Sequence, residues 1–330
     1  MIITINDYIV VLGDFEGNLP VRVLQNNVLE SFLNANTRAI DDWEAMVLSG
    51  RIRREVSRDI APRAVQSPSV DYDTGTIVIQ EVFEAALWAT SYGIMVLHDC
   101  WAERYARGEE LTQLDDTDSR IRDAFGFLAY TESLFRSYQP WPLALPNPQK
   151  YLLEKKDLVE KANNLYVSAA SFSLAHEFAH VYLGHGNASF RSLLLKARTS
   201  PMTLTEIEQS QLKQMENEAD RFAVDHFVTE LDSDSEKTVR LYGIVITYLC
   251  FLIGTKKSSQ LRSSTHPDMG TRILNVLSQD ISDQGFRDSL RGAVILALTY
   301  FLNRQGISLR GQAFNDAEDA LEYCLISLPS

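Results

Sequence analysis

A chain of 330 residues with 45% hydrophobic and 23% charged side chains has the composition of an ordinary globular protein, long enough to bury a sizeable core in one large domain or two. Its net charge of −13 argues against nucleic acid as a main partner, because phosphate binding runs on Lys and Arg. Cys100, Cys250 and Cys324 are odd in number, far apart and without C-x-x-C spacing, which suits buried free thiols in a reducing cytosol rather than a disulfide framework.

The opening Met1-Ile2-Ile3-Thr4-Ile5-Asn6-Asp7 lacks the basic n-region of a signal peptide, so a cytoplasmic location is expected. Residues 2–12 read as a strand closed by a turn at 13–18, whose glycines are not followed by the Gly-Lys-Ser/Thr of a phosphate loop. Helical spacing follows over 21–34 and again from Thr37 towards Ile60. Arg51, Arg53, Arg54, Arg58 and Arg63 form a basic cluster on that second helix, interleaved with Glu55 and Asp59 as on a solvated face. A turn at 71–75 leads into a strand at 76–80 and a long apolar helix from about Val82 to Arg107, ended by Gly108. His98 on this helix has no metal-ligand partner at helical spacing, so it reads as a core or boundary residue. An acidic loop follows through Asp115, Asp116 and Asp118.

Four of the ten prolines fall in residues 137–150. They divide a mixed N-terminal region, 1–136, from a helical region, 151–330, or else form a loop on the rim of a cleft within one compact domain. The second half reads as helices: one starting near Asn163 or Ser168 and ending at Gly184, one from a capping box at 203–206 to about Leu231, then 237–253, 267–278, 286–303 and 315–327, with Pro267 in a first turn and Asn315 as a cap. The apolar run 241–254 spans about 21 Å as a helix, short of the roughly 30 Å of a bilayer interior. It reads as a buried core helix. The fold class expected is α+β, predominantly helical, with a small N-terminal β element.

Three of the six histidines lie within residues 172–185, Phe-Ser-Leu-Ala-His-Glu-Phe-Ala-His-Val-Tyr-Leu-Gly-His. His176 and His180 are four apart, so on a helix their imidazoles project from one face and can share a divalent ion. Glu177 completes H-E-x-x-H, in which a carboxylate beside the metal takes a proton from water. Leu174, Ala175, Phe178, Ala179, Val181, Tyr182 and Leu183 make the helix largely buried, where unpartnered polar groups are costly.

Zinc in hydrolases usually has three protein ligands and an open position. The metzincin pattern needs histidine at 186 and glycine at 183, one residue out of register with His185 and Gly184. A glutamate on a downstream helix is the other route. Glu216 and Asp220 share a helix face with Ala223 and Phe227, which turns that face inwards and makes Glu216 the third ligand, with Asp220 orienting a ligand histidine from behind. Glu218 points elsewhere. His266, at a helix entrance, and Arg272, nearly two turns on, are candidate donors to the oxyanion of a tetrahedral intermediate. His185 has a capping or supporting role, and His226, about 80° off the Glu216 face, is structural.

H-E-F-A-H-V-Y-L-G-H at 176–185, E-x-x-A-D at 216–220 and T-H-P-x-x-x-x-R-I at 265–273 occur together and in order. The combination resembles the gluzincin metallopeptidases of the CAAX-prenyl-protease and HtpX type. Those enzymes are integral to membranes and this chain has no convincing spanning helix, so it is more similar to the Lit-type phage-exclusion peptidases. The resemblance implies zinc on His176, His180 and Glu216, Glu177 as general base, Asp220 behind the ligands, and His266 with Arg272 assisting the transition state. It also implies cleavage of an intracellular host protein, a translation elongation factor in that family, with room for an activating peptide or protein. The ImmA/IrrE-like regulators, which cleave a repressor, are a neighbouring possibility, and a non-proteolytic zinc-binding regulator is a third. A di-iron bundle would need a second E-x-x-H, and no other histidine has glutamate three residues before it.

Overall fold

The computed structural model describes residues 1–107, 118–229, 232–255, 266–307, 314 and 316–328. The fold is α+β and predominantly helical, as the residue pattern led us to expect. Residues 2–12 form a hairpin rather than one strand: β1 (Ile2–Ile5) and β2 (Tyr8–Val11) pair antiparallel, Ile5 opposite Tyr8. Asn6 and Asp7 make the turn with φ of 46° and 65°, a left-handed conformation that short polar side chains tolerate. A 3₁₀ turn at Pro20–Leu24 precedes α1 (Gln25–Leu33), and α2 (Ala39–Leu48) ends well short of Ile60. The basic cluster therefore lies beyond the helix, not on its face. Arg54 pairs with Glu44, and Arg58, on β3 (Ser57–Asp59), reaches the fully buried Glu84.

β4 (Ser69–Asp71) and β5 (Thr76–Gln80) complete a second sheet in the order β3-β5-β4, parallel then antiparallel, which leaves β4 at an edge. β5 runs directly into α3 (Glu81–Ala106). Gly108, Asp115 and Asp116 lie outside the described residues. Asp118 caps α4 (Ser119–Arg136), accepting a bond from the Arg120 amide. That helix was not anticipated; its mixed run Ser-Arg-Ile-Arg-Asp follows directly on the acidic stretch. The proline-rich segment ends in β6 (Lys150–Leu152), which joins β2 antiparallel. Trp141 from this segment packs edge-on against Trp88 and Tyr130, so both halves of the chain share one apolar core.

The centre of the molecule is α5 (Lys156–Tyr182), which begins well before Asn163 because Val159 and Ala162 are already buried, and packs against α1, α3, α7 (Glu206–Phe227) and α8 (Asp234–Gly254). Nearly every residue from Ser168 to Val181 is buried, the pattern of a helix apolar all round. After α6 (Ala188–Thr199) and a 3₁₀ turn at Pro201–Thr203 comes α7 (Glu206–Phe227). Its capping box is Thr205 with Glu208, two residues beyond the expected start, because Thr203 is taken up in the preceding 3₁₀ turn. α8 (Asp234–Gly254) begins at a second capping box, Ser233 with Glu236. Among the described residues it is one helix long and apolar enough to cross a bilayer, and 72% of that stretch is buried within the fold. α9 (Met269–Leu277) is capped by Asp268, which places Pro267 before the helix instead of in its first turn. α10 (Gln284–Arg304) and α11 (Ala317–Ile326) close the fold; Asp316 caps α11, while Asn315 lies outside the described residues. All three cysteines are free and buried.

Candidate metal centre and cleft

One turn apart on α5, His176 and His180 bring their Nε2 atoms to within 3.1 Å. Glu216, from α7, completes the group: its Oε2 is 3.4 Å from His176 Nε2 and its Oε1 3.5 Å from His180 Nε2. Ligand atoms of the three side chains all lie within 4.8 Å of one another, positioned to hold a metal ion. Two imidazoles and a carboxylate, each at least four-fifths shielded from water, satisfy one another poorly. A divalent cation at their meeting point satisfies all three.

The far side of His176 is also engaged. Its Nδ1 is 2.9 Å from Asp220 Oδ1, and Arg272 donates to the same carboxylate from Nε at 2.7 Å and Nη2 at 2.6 Å. The guanidinium lies over the Tyr248 ring, 4.6 Å from its centroid. Behind His180 stands His185, its Nδ1 2.9 Å from His180 Nδ1 and its Nε2 3.2 Å from Glu218 Oε2. His266 lines the cleft half-exposed, with Nε2 3.6 Å from Glu216 Oε2.

Charges follow from these contacts. Burial opposes ionisation of Glu216, but the imidazoles around it, His176 first, hold its carboxyl well below the usual range. Asp220 is likewise penalised by burial and held down by Arg272. Burial disfavours charge on His176, yet Asp220 and Glu216 bring it up to about 10, whereas burial beside His176 takes His180 down to about 3. In this arrangement a proton on His176 supplies the positive charge that a bound cation would supply instead. Burial pushes Glu177 up to about 7. Its carboxylate makes no hydrogen bond or ion pair among the described residues and opens on the cleft.

That cleft has a volume of about 490 Å³. One wall is β4 and the turn after it, another is α6 with Leu194 and Arg198, and Phe172, Tyr248 and Phe251 supply apolar surface. Tyr72 was not singled out from sequence, where Asp71 to Gly75 reads only as a turn. Its ring packs against Gly186, where a Cβ would stand 2.0 Å from a ring carbon, and its hydroxyl has no hydrogen-bond partner among the described residues. Burial, then the negative charge of Glu177 and Glu216, keep that hydroxyl protonated and able to donate. Arg198 was missed for the opposite reason: nothing marks one exposed arginine on a short helix. His226 stacks on Phe32 and Phe222, away from the centre.

No curated protein and no solved structure matches the chain. A family model described as Peptidase U49 matches residues 77–284, more than half of the 330, a stretch that holds α5 and α7 with His176, Glu177, His180 and Glu216, together with His266 and Arg272. The chain belongs to the peptidase U49 family.

Proposed function

We propose that this peptidase is a zinc-dependent endopeptidase of gluzincin type, with His176, His180 and Glu216 as metal ligands and Glu177 as general base. The observation that carries the reading is the convergence of those three ligand side chains beside a buried carboxylate that no other group occupies. Held there, zinc supplies Lewis-acid polarisation of the scissile carbonyl and makes water acidic enough to attack near neutral pH.

The remaining steps belong to the chain's own side chains. Glu177, next to His176 and opening on the cleft, takes the proton of the attacking water as oxygen bonds to the carbonyl carbon. It returns that proton to the amide nitrogen as the carbon–nitrogen bond breaks. His266 lies within reach of the ligand carboxylate and donates to the developing oxyanion. Asp220, with Oδ1 2.9 Å from His176 Nδ1, holds that ring by an ion-pair contact, and Arg272 fixes Asp220. The apolar walls and the edge of β4 receive an extended segment of a protein substrate. A cytoplasmic site of action, and a translation elongation factor cleaved in phage defence, are what the Lit-type resemblance adds.

Expression of wild type and Glu177→Gln in a bacterial host, followed by a survey of new protein termini, tests this directly. Cleavage products found only with the wild type are expected, with both proteins retaining the same metal. Equal products from the two would refute Glu177 as the base.

A further inference from the structure

The end of α5 is built so that a residue beyond the helix falls back on the second ligand histidine. Gly184 has φ of +78°, the left-handed conformation that glycine adopts without a Cβ penalty. The His185 amide bonds the His180 carbonyl at 2.9 Å and the Gly184 amide bonds the Val181 carbonyl at 3.1 Å, the paired bonds of a Schellman motif. In that motif the residue after the glycine touches the side chain three positions before the cap, usually as an apolar contact. Here both positions are histidines, and the contact is Nδ1 to Nδ1 at 2.9 Å with ring centroids 5.0 Å apart.

Two facing ring nitrogens need one proton between them. His180 directs Nε2 towards His176 and Glu216, so as a neutral ligand it carries its proton on Nδ1. His185 Nδ1 must then be the acceptor, which places its own proton on Nε2, facing Glu218 Oε2 at 3.2 Å. The other oxygen of Glu218 accepts from Gln214 Nε2 at 2.8 Å, which fixes the carboxylate on the α7 surface. The direction of every bond follows from one condition, that His180 ligates through Nε2.

We propose that His185 and Glu218 form a positioning relay that fixes the tautomer and ring orientation of His180, as Asp220 and Arg272 do for His176. The inference rests on His180 being a ligand in the proposed site. His185 itself is no ligand, since both of its ring nitrogens are turned to other partners. Each ligand histidine is thus backed by a hydrogen-bonded pair, one ending on a buried arginine and the other on a half-exposed carboxylate.

The test uses the full-length protein loaded with zinc and needs no substrate. Nitrogen-15 NMR of labelled histidines should show His185 protonated on Nε2 and unprotonated on Nδ1; the reverse tautomer overturns the proposal. Competition with a chelator should show His185→Phe, which keeps a ring but loses the acceptor, binding zinc about 10- to 100-fold more weakly. His185→Gln, which keeps an acceptor, should recover part of that loss, and Glu218→Gln should cost less than His185→Phe. Zinc affinity of His185→Phe within twofold of wild type overturns the relay. If His185→Phe fails to fold, the wild-type tautomer and the Glu218→Gln affinity decide. A protein with the expected tautomer and affinities that cleaves nothing leaves this inference standing and sinks the peptidase mechanism. Cleavage by wild type alongside an indifferent His185→Phe does the reverse.

Discussion

Replacing Arg272 by methionine should destabilise the metal-free protein by about 3–5 kcal/mol, because one partner of a buried ion pair is removed and the other remains. Both side chains are nearly enclosed, and the guanidinium donates twice to Asp220, at 2.7 and 2.6 Å. Two hydrogen bonds to charged groups at about 1.5–3 kcal/mol each give a similar sum, about 3–6 kcal/mol. Methionine replaces some of the packing on Tyr248 but none of the cation–π attraction. The His176 contact to Asp220 survives the change, which argues for the lower end, near 3 kcal/mol. Urea unfolding in excess chelator gives the number without a metal contribution. The companion variant Asp220→Asn leaves Arg272 without its anion, so the double variant should be more stable than the sum of the singles by about 2 kcal/mol. A loss below about 1 kcal/mol for Arg272→Met, or additivity within about 0.5 kcal/mol, would refute the view that this pair anchors His176.

Gly186→Ala should cost about 1–3 kcal/mol, since the new methyl group meets the Tyr72 ring at 2.0 Å and moves β4 away from the cleft. Thermal unfolding measures it, and an unchanged melting temperature would contradict the packing described. His226→Phe should be neutral or stabilising by up to about 1 kcal/mol, because a buried ring nitrogen without a partner is replaced by carbon within an aromatic stack. The same variant should change the response to acid. Burial lowers the His226 pKa, so as pH falls below 6.5 the unfolded chain takes up a proton that the folded one refuses, and stability drops until the folded value is passed. Denaturant titrations at pH 7.5 and pH 5 should find a smaller drop for His226→Phe; an equal drop refutes the account.

Residue patterns are legible where one physical rule dominates. The long helices α3, α5, α8 and α10 follow from long apolar runs, and β5 was read at its observed limits because Gly75 and Glu81 bound a short β-branched run. His176, His180 and Glu216 emerged from the chemistry of a shared cation, which demands particular side chains on inward faces, and these the structure brings together. The hairpin at Asn6 and Asp7 was missed since neither residue is a glycine. The helix expected through Arg51 to Ile60 fails for a different reason: Arg58 spends its charge on the buried Glu84, a partner 26 residues away that no local pattern reveals. Tyr72 and the His185–Glu218 contact depend on the same kind of long-range placement. The Gly184-His185 pair nevertheless carried a signal, because a Schellman glycine determines which side chain the following residue must touch.

The two halves of the proposed ligand set stand on ground of unequal firmness. His176 and His180 belong to a helix enclosed by the main core, and cannot separate without unfolding it. Glu216 lies on the first half of α7, whose apolar neighbours Leu204 and Leu212 gather with Leu193 of α6 in a small cluster apart from that core. A segment with so little burial of its own opens at a lower free energy than the whole molecule. An ion that requires Glu216 in place binds only while α7 is folded against α5, so by mass action it stabilises that packing. Metal occupancy should therefore slow amide exchange in the first half of α7 more than in α5, which serves as the internal reference.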